Sequence, residues 1–386
     1  MFEFNSYFEP LNQGIYSNKE RWSITQLGSL IDSHTQDNFP DIEIADIVLF
    51  NIKEYEGSNN TSDEADCKVR DELYQLHFER PPKIVDLGNL ILMPTRKESF
   101  KIIENICVEL FKKGIIPCII GGGQDISYAV YKSYVAIKKI MTLCCVDKSF
   151  DIGLQEDKLA SFSFLGKIIG YKPNHLFHYS NIGYQSFYVS PLAVEMLESM
   201  NFDTYRLGYI KSNMHQLEPI MRNTDFISFD ISSIQYTYAN ANVYSSPNGL
   251  TGEDACKIMR YAGISDKLTS IGIFEYNQVL DNNNQTAKLI AQMIWYFLEG
   301  YIKRKNEINP DIKHCTKYTV AFEDGKNEIV FYKSNHSGRW WMGVPFQSEN
   351  KSSANNYFVA CAYQDYEQAN KGEIPERWMK TFKKLD

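Results

Sequence analysis

A chain of 386 residues, 44% hydrophobic and 23% charged, has the composition of a folded globular protein with a large core. Its net charge of −8 and the lack of any clustered Lys/Arg stripe exclude nucleic acid as the main partner. No apolar run approaches the roughly 20 residues needed to cross a bilayer, and "MFEFNSYFEPLNQG" lacks the basic and apolar regions of a signal peptide, so a cytoplasmic protein without a membrane span is expected.

The first strong element is "DIEIADIVLFNI" (41–52), β-rich and apolar, which reads as a buried strand. The loop "SNNTSDEAD" follows, then an amphipathic helix over 69–78 and a strand, "PPKIVDLGNL", closed by Gly88. Residues 97–113 place Ile102, Ile103, Ile106, Leu110 and Phe111 at helical spacing, with Gly114 as the stop. "IIPCII" is a short apolar strand running into "GGGQD" and a further helix. "MTLCCVD", "LFHYSNIG" (176–183), "DFISFDIS" (225–232) and "LTSIGIFE" (268–275) continue the strands, with helices predicted over 191–200, 252–262 and 285–303. Strands alternating with helices imply a three-layer α/β/α architecture, a mostly parallel doubly wound sheet covered on both faces. Beyond residue 312 the pattern changes. "KYTVAFEDGKNEIVFYKS" is a hairpin candidate turning at Asp324-Gly325, so the chain divides into an α/β domain, 1–312, and a C-terminal extension, 313–386, packing on it. Trp340, Trp341 and Trp378 in that extension are candidates for a protein-partner surface, since Trp is enriched at contact hot spots.

In doubly wound sheets, functional groups collect at the carboxyl ends of the strands. Here those ends read "GGGQD", "VDKSFD", "FDISS" and "FEYN". In an extended segment, Asp147, Ser149 and Asp151 would share one face while Lys148 and Phe150 turn away. Two carboxylates on one face are half of a metal site, and the hydroxyl between them is a poor ligand. The eight cysteines form no CxxC pair and sit mostly in apolar runs, so they are expected to be reduced core residues. None of the seven histidines lies in one of these strand-end segments, His175 and His178 falling near a strand start instead, and Ser149 has no adjacent base to make it a nucleophile.

These pieces, in this order, resemble the ureohydrolase family of arginase, agmatinase and above all formimidoylglutamase. "IIGGGQDISYAVYKSY" is similar to that family's strand, Gly-Gly-x-His turn and helix, with Gln124 where the ligand histidine belongs. "DKSFD" resembles Asp-x-His-x-Asp with Ser149 for histidine, and "SFDIS" resembles Ser-Phe-Asp-x-Asp with Ser232 for the last aspartate. "NGLTGEDACKIM" looks like the family's Gly-Leu-Thr helix entry, and "IGIFEYN" like its Glu-x-Asn segment, which makes Glu275 the residue expected to grip a guanidinium or amidine.

The resemblance implies two manganese ions at the strand ends, holding a hydroxide that attacks a trigonal carbon. It also implies a homo-oligomer. Of the implied ligands, Asp147, Asp151 and Asp230 are retained, while Gln124, Ser149 and Ser232 replace the rest. One ion site could still assemble three carboxylates and the Gln124 amide oxygen, a set suited to Mn²⁺, Mg²⁺ or Ca²⁺. The other keeps only shared aspartates. The expected cofactor is therefore none, or one divalent ion. The expected protein is a catalytically inactive pseudoenzyme with a binding or structural role. The alternatives are a single-metal hydrolase of non-peptide C–N bonds in linear amidines and a guanidino or amidine sensor.

Overall fold

The computed structural model describes residues 2–11, 19–58, 60, 67–153, 158–322, 327–346 and 355–386. Its central sheet contains β1 (Phe8–Glu9), β2 (Asp32–Ser33), β3 (Ile47–Ile52), β4 (Ile84–Leu90) and β5 (Ile116–Gly121). The same sheet continues with β6 (Met141–Val146), β7 (Leu176–Tyr184), β8 (Asp203–Arg206), β9 (Phe226–Asp230) and β10 (Ser270–Phe274). The order is β1-β4-β3-β5-β10-β9-β6-β7-β8, with β2 beside β4. Among the described strands of this sheet, only the β1–β4 pair is antiparallel.

The central strands are continuous apolar runs because both faces are covered. Alternation sends Leu49, Cys118, Cys144 and Ile227 into a core shared with the helices Gly252–Ile264 and Gln285–Tyr301. It sends Phe50, Ile119, Cys145 and Phe226 into a second core under Arg96–Lys112 and Ile126–Ala136. The three-layer α/β/α expectation is met. All eight cysteines are free thiols, and seven are buried. Among the described residues, no helix is long and apolar enough to cross a membrane.

Three boundaries differ from the sequence reading. The stretch 41–52 is a 3₁₀ turn at Ile42–Ile44 followed by β3, because the Asp41 side chain accepts from the Glu43 N–H and caps the turn. The helix starting near residue 69 ends at Gln75, where Gln26 pairs with His77. Gly88 does not close its strand. β4 runs through it at φ +90°, where a Cβ would stand 2.1 Å from the Glu9 carbonyl oxygen, so glycine is what admits β1.

The C-terminal residues form a sequential antiparallel sheet of β11 (Cys315–Phe322), β12 (Asn327–Ser334), β13 (Trp340–Phe346) and β14 (Asn355–Cys361). Two helices follow, Tyr363–Asn370 and Glu376–Leu385. The hairpin exists as β11–β12, and its Asp324-Gly325 turn lies outside the described residues. The three tryptophans do not offer the exposed surface expected of them. Trp340 stacks between Tyr318 and Tyr366 at 5.1 and 5.4 Å, and Trp341 lies under the Arg222 guanidinium at 4.8 Å. Trp378 stacks on Phe382 and donates through Nε1 to the Gly343 carbonyl at 2.9 Å. Trp340 and Trp378 join the aromatic core of this small sheet with Tyr318, Phe331, Tyr366 and Phe382, while Trp341 is taken up by its contact with Arg222.

Candidate functional site

Sheet order explains the convergence of remote motifs. Gln124 follows β5, Glu275 follows β10, Asp230 ends β9 and Asp147 follows β6; these four strands are consecutive neighbours at the sheet centre. The carboxyl ends of parallel strands point the same way, so the four side chains meet above one edge.

Residues 147–151 are not extended, which corrects the alternation reading. Asp147 Oδ1 accepts from the Ser149 N–H at 2.9 Å, folding the chain into an Asx turn, and Asp151 adopts φ +50°. Asp147, Ser149 and Asp151 still converge, through this turn. Ser149 Oγ donates to Asp151 Oδ1 at 2.9 Å and lies 3.3 Å from Asp147 Oδ1. Lys148 turns outward as expected, donating to the Tyr244 carbonyl and resting over the Tyr188 ring at 5.0 Å.

Gln124 occupies the middle of the site. Its amide nitrogen donates to Asp147 Oδ2 and Asp151 Oδ2, both at 3.0 Å, and its oxygen accepts from Ser228 Oγ at 3.1 Å; this amide orientation satisfies both ends. Asp230 is served by Ser232, whose N–H donates to Oδ1 at 2.6 Å and whose hydroxyl donates to Oδ2 at 2.8 Å. Gln124, Ser149 and Ser232 therefore each hydrogen-bond at least one of the three aspartates.

These carboxylates are short of positive charge. Burial pushes Asp147 well up from the usual carboxylate range, and Asp151 adds to it. Burial likewise raises Asp151 to about 7, with Asp230 contributing. Asp230 is raised well above its ordinary value by burial, then by Asp147 and Glu275. Among the described residues, no three His, Cys, Asp or Glu side chains are grouped as a metal site requires. With an amide and two hydroxyls in place of two imidazoles and a carboxylate, the donor set does not fit a two-metal centre.

Glu275 stands at φ +66° with its carboxylate enclosed by donors. Ser58 Oγ at 2.6 Å, Asn60 Nδ2 at 2.5 Å, Ser161 Oγ at 2.5 Å and the Gln124 N–H at 2.8 Å all point to it. Behind this shell lies a buried ion cluster in which Arg96 Nε meets Glu54 Oε1 at 3.1 Å and its Nη2 meets Asp125. Burial raises the Asp125 carboxyl to about 7 despite that arginine. Sequence reasoning missed Ser58, Asn60, Ser161, Glu54 and Arg96. Asp125, adjacent to Gln124 in "GGGQD", was the one member with a local signal.

Residues 60–299 match the Arginase family model. A formimidoylglutamase of Legionella pneumophila (strain Paris) is 26% identical over 249 residues, covering 60% of this chain and 76% of that protein. One from Staphylococcus carnosus is 25% identical over 250 residues, covering 60% and 77%. Among solved structures, the Mn²⁺-bound formiminoglutamase of Trypanosoma cruzi superposes with a TM-score of 0.64 at 19% identity, covering 72% of this chain and 99% of its own. The agmatine ureohydrolase of Thermoplasma volcanium gives 0.57 at 18% identity, covering 74% and 97%. With the family model matching well over half of the sequence, and strand-end motifs converging at the centre of this sheet, the chain belongs to the arginase family.

Proposed function

We propose that this protein is a ureohydrolase-fold pseudoenzyme, in which the former metal site is a self-satisfied polar network and the role is binding or structural. One observation carries the reading: Gln124, Ser149 and Ser232 each donate a hydrogen bond to the carboxylates that remain. Donors in those places neutralise part of the carboxylate charge that a cation would otherwise take. Two metal ions would lower the pKa of a water between them to near 7, and the donor set of Gln124, Ser149 and Ser232 does not suit such a pair.

A second reading is favoured by the names of the relatives and by the three surviving aspartates. It is a single-metal hydrolase of linear amidine or guanidine C–N bonds, with Asp147, Asp151, Asp230 and the Gln124 amide oxygen as the residues that would hold a divalent ion. Elemental mass spectrometry of the purified chain, before and after dialysis against Mn²⁺, separates the two when combined with assays for ammonia, urea and formamide release. The pseudoenzyme reading expects metal well below stoichiometric and no release from formimidoylglutamate, agmatine or arginine. One bound ion with turnover would establish the hydrolase, and two ions would overturn both readings.

A further inference from the structure

On the other side of the wall that holds Glu275, a cleft of about 790 Å³ opens between the helices Arg96–Lys112 and Ile126–Ala136 and the segment 158–162. That volume is in the range of small-molecule sites, which are mostly apolar with a few placed polar groups. Phe100, Tyr128 and Ala129 form its apolar floor, and Leu159 and Phe162 close one side. Phe162 is 48% exposed, a large ring turned toward solvent at the rim. The Arg96 guanidinium lies 4.7 Å over Phe100, and its ion pairs with Glu54 and Asp125 hold both residues in place. A Cβ on Gly57 would stand 1.8 Å from Asp125 Oδ2, so the wall is pressed directly on that buried cluster.

The polar half of the cleft is basic in a protein of net charge −8. Lys97, Lys101, Lys132 and Lys158 line it against Glu56 and Glu104. Lys101 is taken by Glu104 at 2.6 Å, and Lys132 donates to the Tyr171 hydroxyl. Among the described residues, neither Lys97 nor Lys158 has an ion-pair partner. With the Lys101–Glu104 pair set aside, Lys97, Lys132 and Lys158 face a single carboxylate, Glu56, and an apolar floor under such a cation excess fits one ligand chemistry. We propose that this cleft binds a small amphipathic organic anion, a carboxylate or phosphate carried on an aromatic or branched apolar body. The site is separate from the strand-end carboxylates, and its occupancy does not depend on whether those carboxylates hold a metal. Its walls include Ser58, whose hydroxyl fastens Glu275, and Ala160 and Phe162, which flank Ser161, the other hydroxyl on that carboxylate, so a bound anion would brace that network from outside.

Fluorescence titration of the full chain with anilinonaphthalene sulfonate tests the proposal. Phenylbutyrate and phenyl phosphate serve as competitors, and phenylbutanol as the neutral control. Saturable binding is expected, weakened about tenfold by Lys97→Glu and by Lys158→Glu, and weakened also by Phe162→Ala. Displacement is expected from at least one anionic competitor, and whichever acts identifies the head group; phenylbutanol is expected to be inactive. All three substitutions fall on exposed side chains, so near-UV circular dichroism should remain that of the parent chain. No saturable binding to the parent chain, equal affinity in all three variants, or displacement by phenylbutanol as effective as by phenylbutyrate would overturn the proposal.

Discussion

At position 151 backbone and side chain both carry a cost: φ is +50°, and the carboxylate is buried beside Asp147 and Asp230. Asparagine tolerates the left-handed region at least as well as aspartate and carries no charge. The folded-state pKa of Asp151 is raised to about 7, so its penalty is absent below the unfolded value near 3.9 and complete once pH exceeds 7. Asp151→Asn should therefore stabilise the metal-free protein by about 1–3 kcal/mol at pH 8 and by little at pH 4. Urea unfolding at the two pH values reads this, and a variant less stable than the parent at pH 8 would contradict it. The identities at 124, 149 and 232 were legible because each stands at a fixed offset in a motif. Their hydrogen bonds were not, because the Asx turn at Asp147 overrides strand alternation. Ser58, Asn60 and Ser161 were invisible for another reason: they approach Glu275 from 217, 215 and 114 residues away in non-periodic loops.

The last helix, Glu376–Leu385, packs Trp378, Phe382 and Leu385 on the C-terminal core and meets the main sheet through ions. Lys380 donates to Asp203 Oδ1 at 2.7 Å, His178 Nε2 meets Asp203 Oδ2 at 3.0 Å, and Lys384 meets His178 Nδ1. Burial works against the Asp203 charge, yet His178 and Lys380 together hold its pKa well below the usual range. Burial lowers the His178 pKa, with Asp203 opposing, and lowers Lys384 to about 8. For both Asp203 and His178 the folded value is depressed, so their stabilisation is present above the unfolded pKa and lost as pH falls through the folded one. Below about pH 6.5 the His178 contribution declines first. Hydrogen exchange of residues 376–385, corrected for intrinsic rates, should lose protection between pH 7 and pH 5 while β5 and β9 keep theirs. Unchanged protection would show that packing alone holds the helix. Strands β3 to β7, β9 and β10 were readable from the sequence, whereas the short β1, β2 and β8 were not, since two to four residues, polar in β2 and β8, carry no apolar run. The fate of Trp340, Trp341 and Trp378 was not, since an aromatic residue looks the same in sequence whether it meets a partner or its own core.

Across the whole molecule, the parallel sheet and its two covered faces followed directly from alternating strand and helix patterns, whereas the strand order came only with the structure. We propose a division near residue 312, with the C-terminal sheet packed on the α/β body. Arg222 Nη2 spans that junction, donating to the Trp340 and Cys361 carbonyls at 3.0 Å each, and Asn223 exchanges two hydrogen bonds with Ala360. A chain ending at residue 312 would strip Arg222 of those acceptors and of the Trp341 ring that covers it, and would uncover Phe177, which packs on Tyr357 at 5.3 Å. Size-exclusion chromatography of that truncation should show association or loss of soluble protein, and a well-behaved product matching the parent in dispersity would argue against the junction as a stabilising contact. Glu275 ties the molecule together differently. Its carboxylate is gripped from residues 58, 60, 124 and 161, three segments far apart in the chain order. It works as a fastener, and any molecule that claims this carboxylate must first displace the hydroxyls of Ser58 and Ser161 that now occupy it.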